Sequence, residues 1–266
     1  MKKKRLIPVL LLKDGFLVQS NGFSKYRNLG NPITALKRLN DWGPDEIIYL
    51  DISNGDNYDL RRDDTNCKNR HDIFEILEDV SKVCFAPITM GGRIKTLLDI
   101  EKRLSKGADK VSINTAALER PELIREASLE FGSQCVIVSV DVKTLASGSK
   151  VMSHCGQLET LYDPVNWVLK AQDLGAGEIL LNSIDRDGRK IGFDIELINL
   201  VTEAVNMPVI ALGGAGEPEH FSEVLSKTKA DAAAAANYFQ HIEQSVYLVK
   251  KHLFQEKINV REPCLL

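Results

Sequence analysis

Short apolar runs recur along the chain, separated by segments whose apolar residues fall at helical spacing. Eight runs read as strands: Arg5–Leu12, Glu46–Ile52, Val83–Met90, Lys110–Asn114, Cys135–Val142, Glu178–Ser183, Pro208–Leu212 and Ala230–Ala235. They are near-continuous in Val, Ile, Leu and Ala rather than alternating, which is the pattern of strands buried on both faces. Several end in a polar residue. Between and after them, amphipathic helices are expected over Ile33–Trp42, Asp72–Val83, Thr96–Gly107, Pro121–Phe131, Asp163–Leu174, Asp194–Val205, Pro218–Lys227 and His241–Leu253. Pro121, Pro164 and Pro218 lie near helix starts, where a missing N–H costs nothing. Eight alternations of strand and helix predict an α/β fold, a (β/α)8 TIM barrel whose ligand lies at the C-terminal ends of its strands. Two connections stand out by length, Lys13–Asn31 and Ser53–Arg70, and both belong on that face.

Composition narrows the class. The 266 residues suit one barrel domain over 1–266, and an apolar share of 44% supplies a large core. A net charge of −3 is too small for a nucleic-acid or anionic-membrane binder, and the only basic cluster is Met1–Arg5. The apolar run after it is broken by Pro8 and stopped at Lys13-Asp14-Gly15, so neither an export signal nor a membrane helix is expected. The five cysteines are odd in number and never form C-x-x-C, which argues against disulfides and zinc and fits a cytoplasmic protein. No metal or cofactor is expected.

The chain also repeats itself. Gly91-Gly92 stands 18 residues before Asp109 in register with Gly213-Gly214, 18 residues before Asp231. Matching units in strands three–four and seven–eight imply two similar half-barrels. Each Gly-Gly could be an ordinary tight turn. In matched register, followed by helix N-termini, the pair points instead to two phosphate cradles built from backbone N–H groups.

At this point Gly107–Ala116, Phe131–Gln134, Gly175–Gly188 and Gly213–Gly216 resemble the synthase (cyclase) subunit of imidazole glycerol phosphate synthase, in the HisA/HisF barrel family. The resemblance runs from Arg5 to about Val260. It implies a barrel that receives ammonia through its interior from a HisH-like glutaminase docked at the N-terminal face. That ammonia would split and cyclise a doubly phosphorylated ribonucleotide. It further implies an ammonia gate at Arg5, Glu46, Lys110 and Glu178, although charges at four strand starts could equally form a structural ion-pair ring. Phosphate-binding positions fall on Gly91, Gly92, Asn114 and Thr115 in one half and on Gly213, Gly214 and Asn237 in the other. Arg93 stands where the family usually has glycine, and Asn237 where it usually has serine. An arginine there could clamp phosphate or carboxylate.

The family's cyclisation uses two aspartates across the mouth as general base and general acid. The fifth-strand partner is Asp141, but position 11, where the first-strand partner belongs, is leucine. Gln19 stands where the family's mobile loop carries lysine. Asp51 and Asp187 are further mouth-lining candidates, for which loop-bonding roles are equally open. The Ser53–Arg70 loop, where Asp56, Tyr58, Asp63 and neighbouring His71 lie, is a place for a substituting group. An intact gate beside an altered cyclisation pair matches a family branch associated with surface-polysaccharide synthesis. There the barrel passes ammonia on for converting an acetamido into an acetamidino nucleotide sugar, with help from an ATP-dependent amidotransferase. A genuine cyclase of histidine biosynthesis, and a non-catalytic conduit that only activates the glutaminase, are the alternatives.

Overall fold

The computed structural model describes residues 2–53, 55, 58 and 70–265. Eight parallel strands close on themselves in the order β1 (Arg5–Lys13), β4 (Ile47–Asp51), β5 (Ile88–Gly91), β6 (Lys110–Ile113), β7 (Val136–Leu145), β10 (Glu178–Ser183), β11 (Val209–Leu212) and β12 (Ala232–Ala235), with β12 returning to β1. The remaining strands form two antiparallel arms on the C-terminal face. One is β2 (Phe16–Asn21) with β3 (Lys25–Gly30), continuing from β1, and the other is β8 (Gly148–Ser153) with the short β9 (Leu158–Glu159), continuing from β7. Helices cover the outside, among them Leu97–Ser105, Thr115–Glu119 and Glu122–Phe131. Among the described residues no helix is long and apolar enough to cross a membrane.

Strand alternation divides the core in two. One set of side chains packs between barrel and helices, as Leu6, Leu10, Met90, Val111, Val138 and Leu181 do. The other fills the interior: Ile7, Val9, Ile48, Ile137, Leu180, Ile210, Ala232 and Ala234.

The 18-residue repeat has a physical cause. Asp109 and Asp231 each enter an even-numbered barrel strand and accept the first amide of the strand before it, from Ile88 N (2.8 Å) and Val209 N (3.2 Å). Asp45, before the second barrel strand, accepts from Leu6 N (2.8 Å), the second amide of β1, a looser third echo. The glycines match too. A Cβ on Gly92 would meet Asp51 O at 2.0 Å and one on Gly214 would meet Gly192 O at 2.0 Å, so only glycine admits these crossings.

Several expected boundaries move. The third strand is not Val83–Met90 but Ile88–Gly91: the amides of Val83 and Cys84 turn back to Val80 O, closing the preceding helix, and Pro87 has no N–H to give a ladder. Lys13–Asn31 is largely a hairpin rather than a loop, and the fifth strand continues to Leu145 into a second hairpin. The last helix begins at Ser245, four residues later than expected, after a separate turn at Tyr238–His241. Of the loop candidates, Asp56 and Asp63 lie outside the described residues.

Candidate active site

The barrel's N-terminal opening carries four charges at strand starts, and all four meet. Arg5 Nη1 bonds Glu46 Oε1 at 2.5 Å and Arg5 Nη2 bonds Glu178 Oε1. Lys110 Nζ closes the ring at 3.0 Å from Glu46 Oε2 and 3.2 Å from Glu178 Oε2. Each cation thus touches both anions. Burial alone would raise the Glu46 pKa, but Arg5 and then Lys110 outweigh it and hold the carboxyl below its ordinary value.

At the opposite end a cavity of about 750 Å³ opens among the strand ends. Asp141 lies at its base, on the inner face of β7. Its Oδ1 accepts from Asn182 Nδ2 and its Oδ2 from Asn114 Nδ2, both at 3.2 Å. Burial pushes its pKa up to about 7; the Asn182 bond opposes this and the charge of Asp187 adds to it. Two amide donors without a cation leave the carboxyl poised near neutrality. Asp187 is also raised by burial, against the pull of Ser20 Oγ (2.8 Å) and the Phe23 and Gly22 amides. It pins the first hairpin to the mouth.

Asp51 is differently placed. Ser53 N (3.0 Å), Ser53 Oγ (2.5 Å) and Tyr58 OH (3.2 Å) donate to it, and Arg93 Nη1 lies 3.3 Å away. It orders the loop start and holds Arg93, which adopts the left-handed region at φ 56°. This is the position where the resemblance leads one to expect glycine, and the backbone there is what a glycine would adopt.

The two expected phosphate cradles part company. Gly92, Arg93, Asn114 and Thr115 line the cavity, but Gly91, Gly213, Gly214 and Asn237 do not. The Asn114 amide bonds Asp141 and the Ser139 carbonyl (3.1 Å), so only the backbone of that position is left for an anion. Thr115 Oγ1 accepts from His154 N at 3.0 Å. In the second half, Asn237 Nδ2 donates to Ser20 O at 2.6 Å, tying the first hairpin across that cradle. Leu11 lines the cavity with Leu50, as its position at the end of β1 requires. Sequence reasoning passed over Asn182. The signal was available, because Asn182 is four residues beyond Glu178 on one strand and therefore on the same inward face.

The match to a family model covers residues 5–244, described as histidine biosynthesis protein. Over 264 residues, 98% of this chain and 100% of the relative, the chain is 45% identical to "Imidazole glycerol phosphate synthase subunit HisF" of Geobacillus kaustophilus. The protein of the same name from Saccharolobus solfataricus is 41% identical over 261 residues, again 98% of this chain and all of the relative. With the barrel closed, the charge ring assembled and Asp141 at the mouth, this chain belongs to the histidine biosynthesis protein family and is a HisF-like barrel.

Proposed function

We propose that this chain is the ammonia-using barrel subunit of a glutamine amidotransferase pair, taking ammonia from a glutaminase at its N-terminal face and adding it to a phosphorylated acceptor at the C-terminal mouth. The observation that carries this reading is the arrangement along one axis: a ring of four charges, a mostly aliphatic interior whose buried polar groups include the uncharged Thr89, Ser112 and Ser139, and a carboxyl poised near neutrality. An apolar interior admits neutral ammonia and penalises ammonium, since burying an unpaired charge is costly. The ring stands where ammonia would enter, and opening it requires breaking its ion pairs.

The first acceptor is the doubly phosphorylated ribonucleotide of imidazole glycerol phosphate formation, supported by the names of the full-length relatives. Asp141 would have to serve alone. A carboxyl with a pKa of about 7 is suited to that, because it can give up and take back a proton at neutral pH. Gly92, Thr115 and Arg93 would hold one phosphate. The second cradle would take the other once the Asn237–Ser20 contact is released.

A second reading is favoured by Leu11 and Arg93. With no carboxyl at position 11 and an arginine beside the first cradle, the acceptor would be an acetamido nucleotide sugar, amidated with an ATP-dependent partner. The purified chain, given ammonium salts and the ribonucleotide, should turn over, and Leu11→Asp should raise the rate. Turnover seen only in Leu11→Asp would overturn the ribonucleotide and leave the sugar. That reading is then checked with the nucleotide sugar, ATP and the ligase.

A further inference from the structure

The two halves of the barrel support their Gly-Gly turns by different means. In the 18-residue register Arg93 and Arg103 match Ala215 and Leu225. Leu225 is an ordinary buried residue of the helix Pro218–Lys227, whereas Arg103, on the helix Leu97–Ser105, buries a guanidinium and is 3% exposed. Its Nη2 donates to Gly92 O at 2.8 Å and its Nη1 to Asp99 O at 2.9 Å. Its Nε is buried without a partner, and no carboxylate of the described residues forms an ion pair with it. The Asp99 carboxylate, one turn away, is spent on the Lys95 and Thr96 amides. Burial pulls the Arg103 pKa down and the charges of Asp99 and Asp51 pull it back, and a guanidinium stays charged at any working pH. Charge buried without a paired anion is costly, and packing alone would be served by the leucine that the other half carries.

Gly92 lines the cavity, and Arg103 lies directly behind it. In a trans peptide the C=O and N–H point opposite ways, so drawing the Gly92 carbonyl outward to Arg103 aims the Arg93 N–H toward the cavity. The second half fixes the matched carbonyl with a neutral group, since Gly192 N donates to Gly214 O at 2.9 Å. Arg186, beside Gly214, turns to the Ile191 and Gly192 carbonyls and lies 3.7 Å from Asp194. Arg93 is itself offset by Asp51. We propose that Arg103 is a positioning residue that makes the first cradle the dianion site of the barrel. It fixes the Gly92–Arg93 peptide and places a charge without a counter-ion behind it, so the dianionic phosphate of an acceptor seats there and the second cradle holds more weakly. Arg103 touches no ligand and acts through Gly92. This deepens the reading above by naming which end of the acceptor is held first, and rests on it only for what the acceptor is.

The test uses the full-length chain and sulfate, a dianion at every working pH, followed by NMR at the backbone amides of Gly92 and Thr115 in the first cradle and of Gly214 and Asn237 in the second. The wild type should bind sulfate about tenfold more tightly at the first. Arg103→Leu, which borrows the side chain of the matched position, should weaken the first cradle about tenfold and leave the second within about twofold. Arg103→Lys keeps the charge and should stay within about threefold of the wild type. In turnover, Arg103→Leu should raise the KM for the phosphorylated acceptor about tenfold while the KM for ammonia stays within about twofold. Equal sulfate affinity at the two wild-type cradles overturns the proposal, and this comparison stands even should Arg103→Leu fail to fold. Unchanged affinity in Arg103→Leu, or a loss in Arg103→Lys as deep as in Arg103→Leu, overturns it too, the second outcome leaving Arg103 a structural tie. The expected sulfate pattern with no nitrogen transfer to either acceptor would uphold the site and overturn the proposed function instead.

Discussion

The two ends of the barrel treat buried charge in opposite ways. At the N-terminal end each carboxylate of Glu46 and Glu178 meets both Arg5 and Lys110. At the C-terminal end Asp141 meets only amides, and burial moves its pKa up to about 7. Paired charges stay ionised and rigid, whereas a carboxyl held by neutral donors keeps its proton exchangeable. The first arrangement suits a barrier and the second suits proton transfer.

The largest effect should come from the mouth. Asp141→Asn keeps size and one of the two accepting oxygens but cannot move a proton, so ammonium-supported turnover should fall about 10²–10⁴-fold. The wild-type rate should rise with pH through about 7 as the carboxyl ionises. Product formation unchanged in Asp141→Asn within the reconstituted pair would leave the barrel a conduit and remove the contrast altogether.

At the other end Glu178→Gln leaves Arg5 and Lys110 with one carboxylate between them. Glutamine-supported turnover should drop about tenfold, or ~1.4 kcal/mol, while ammonium-supported turnover changes little. An equal loss with both nitrogen sources would show that the ring is structural.

Stability sharpens the same difference. The folded-state pKa of Asp141, about 7, lies above the ~3.9 of an unfolded aspartate. Its contribution to stability is therefore fully present below about pH 4 and is lost as pH rises through about 7. Asp141→Asn removes that loss and should be more stable than wild type at pH 8 by about 1–3 kcal/mol, with the gap closing toward pH 4 in urea titrations. A residue kept at the cost of stability is expected where chemistry requires it.

Much of this is legible in the sequence. Strand runs and intervening helices gave the barrel because both-face burial leaves a strong compositional trace, and the Gly-Gly echo gave its symmetry. The third strand was misjudged because Val83, Cys84 and Phe85 look like strand residues, yet the amides of Val83 and Cys84 close a helix and Phe85 is exposed. The hairpins were missed because Lys25–Gly30 is polar on both faces and its pairing depends on β2 alone. Asp141 and the ring are reached through the family resemblance, which assigns them by position. Asn182 is not, since its meaning arises only from the amide it gives Asp141.

The smallest effect concerns how the first cradle tolerates Arg93. A non-glycine residue in the left-handed region costs about 1 kcal/mol, which the ion pair with the fully buried Asp51 side chain offsets in part. Arg93→Ala loses the pair and keeps the strain, while Arg93→Gly loses the pair and relieves the strain. In urea unfolding Arg93→Gly should therefore be the more stable of the two by about 1 kcal/mol, against the usual penalty for replacing alanine by glycine. If the order is reversed, the backbone at 93 is not held left-handed, and the first cradle differs from the second by its side chain alone.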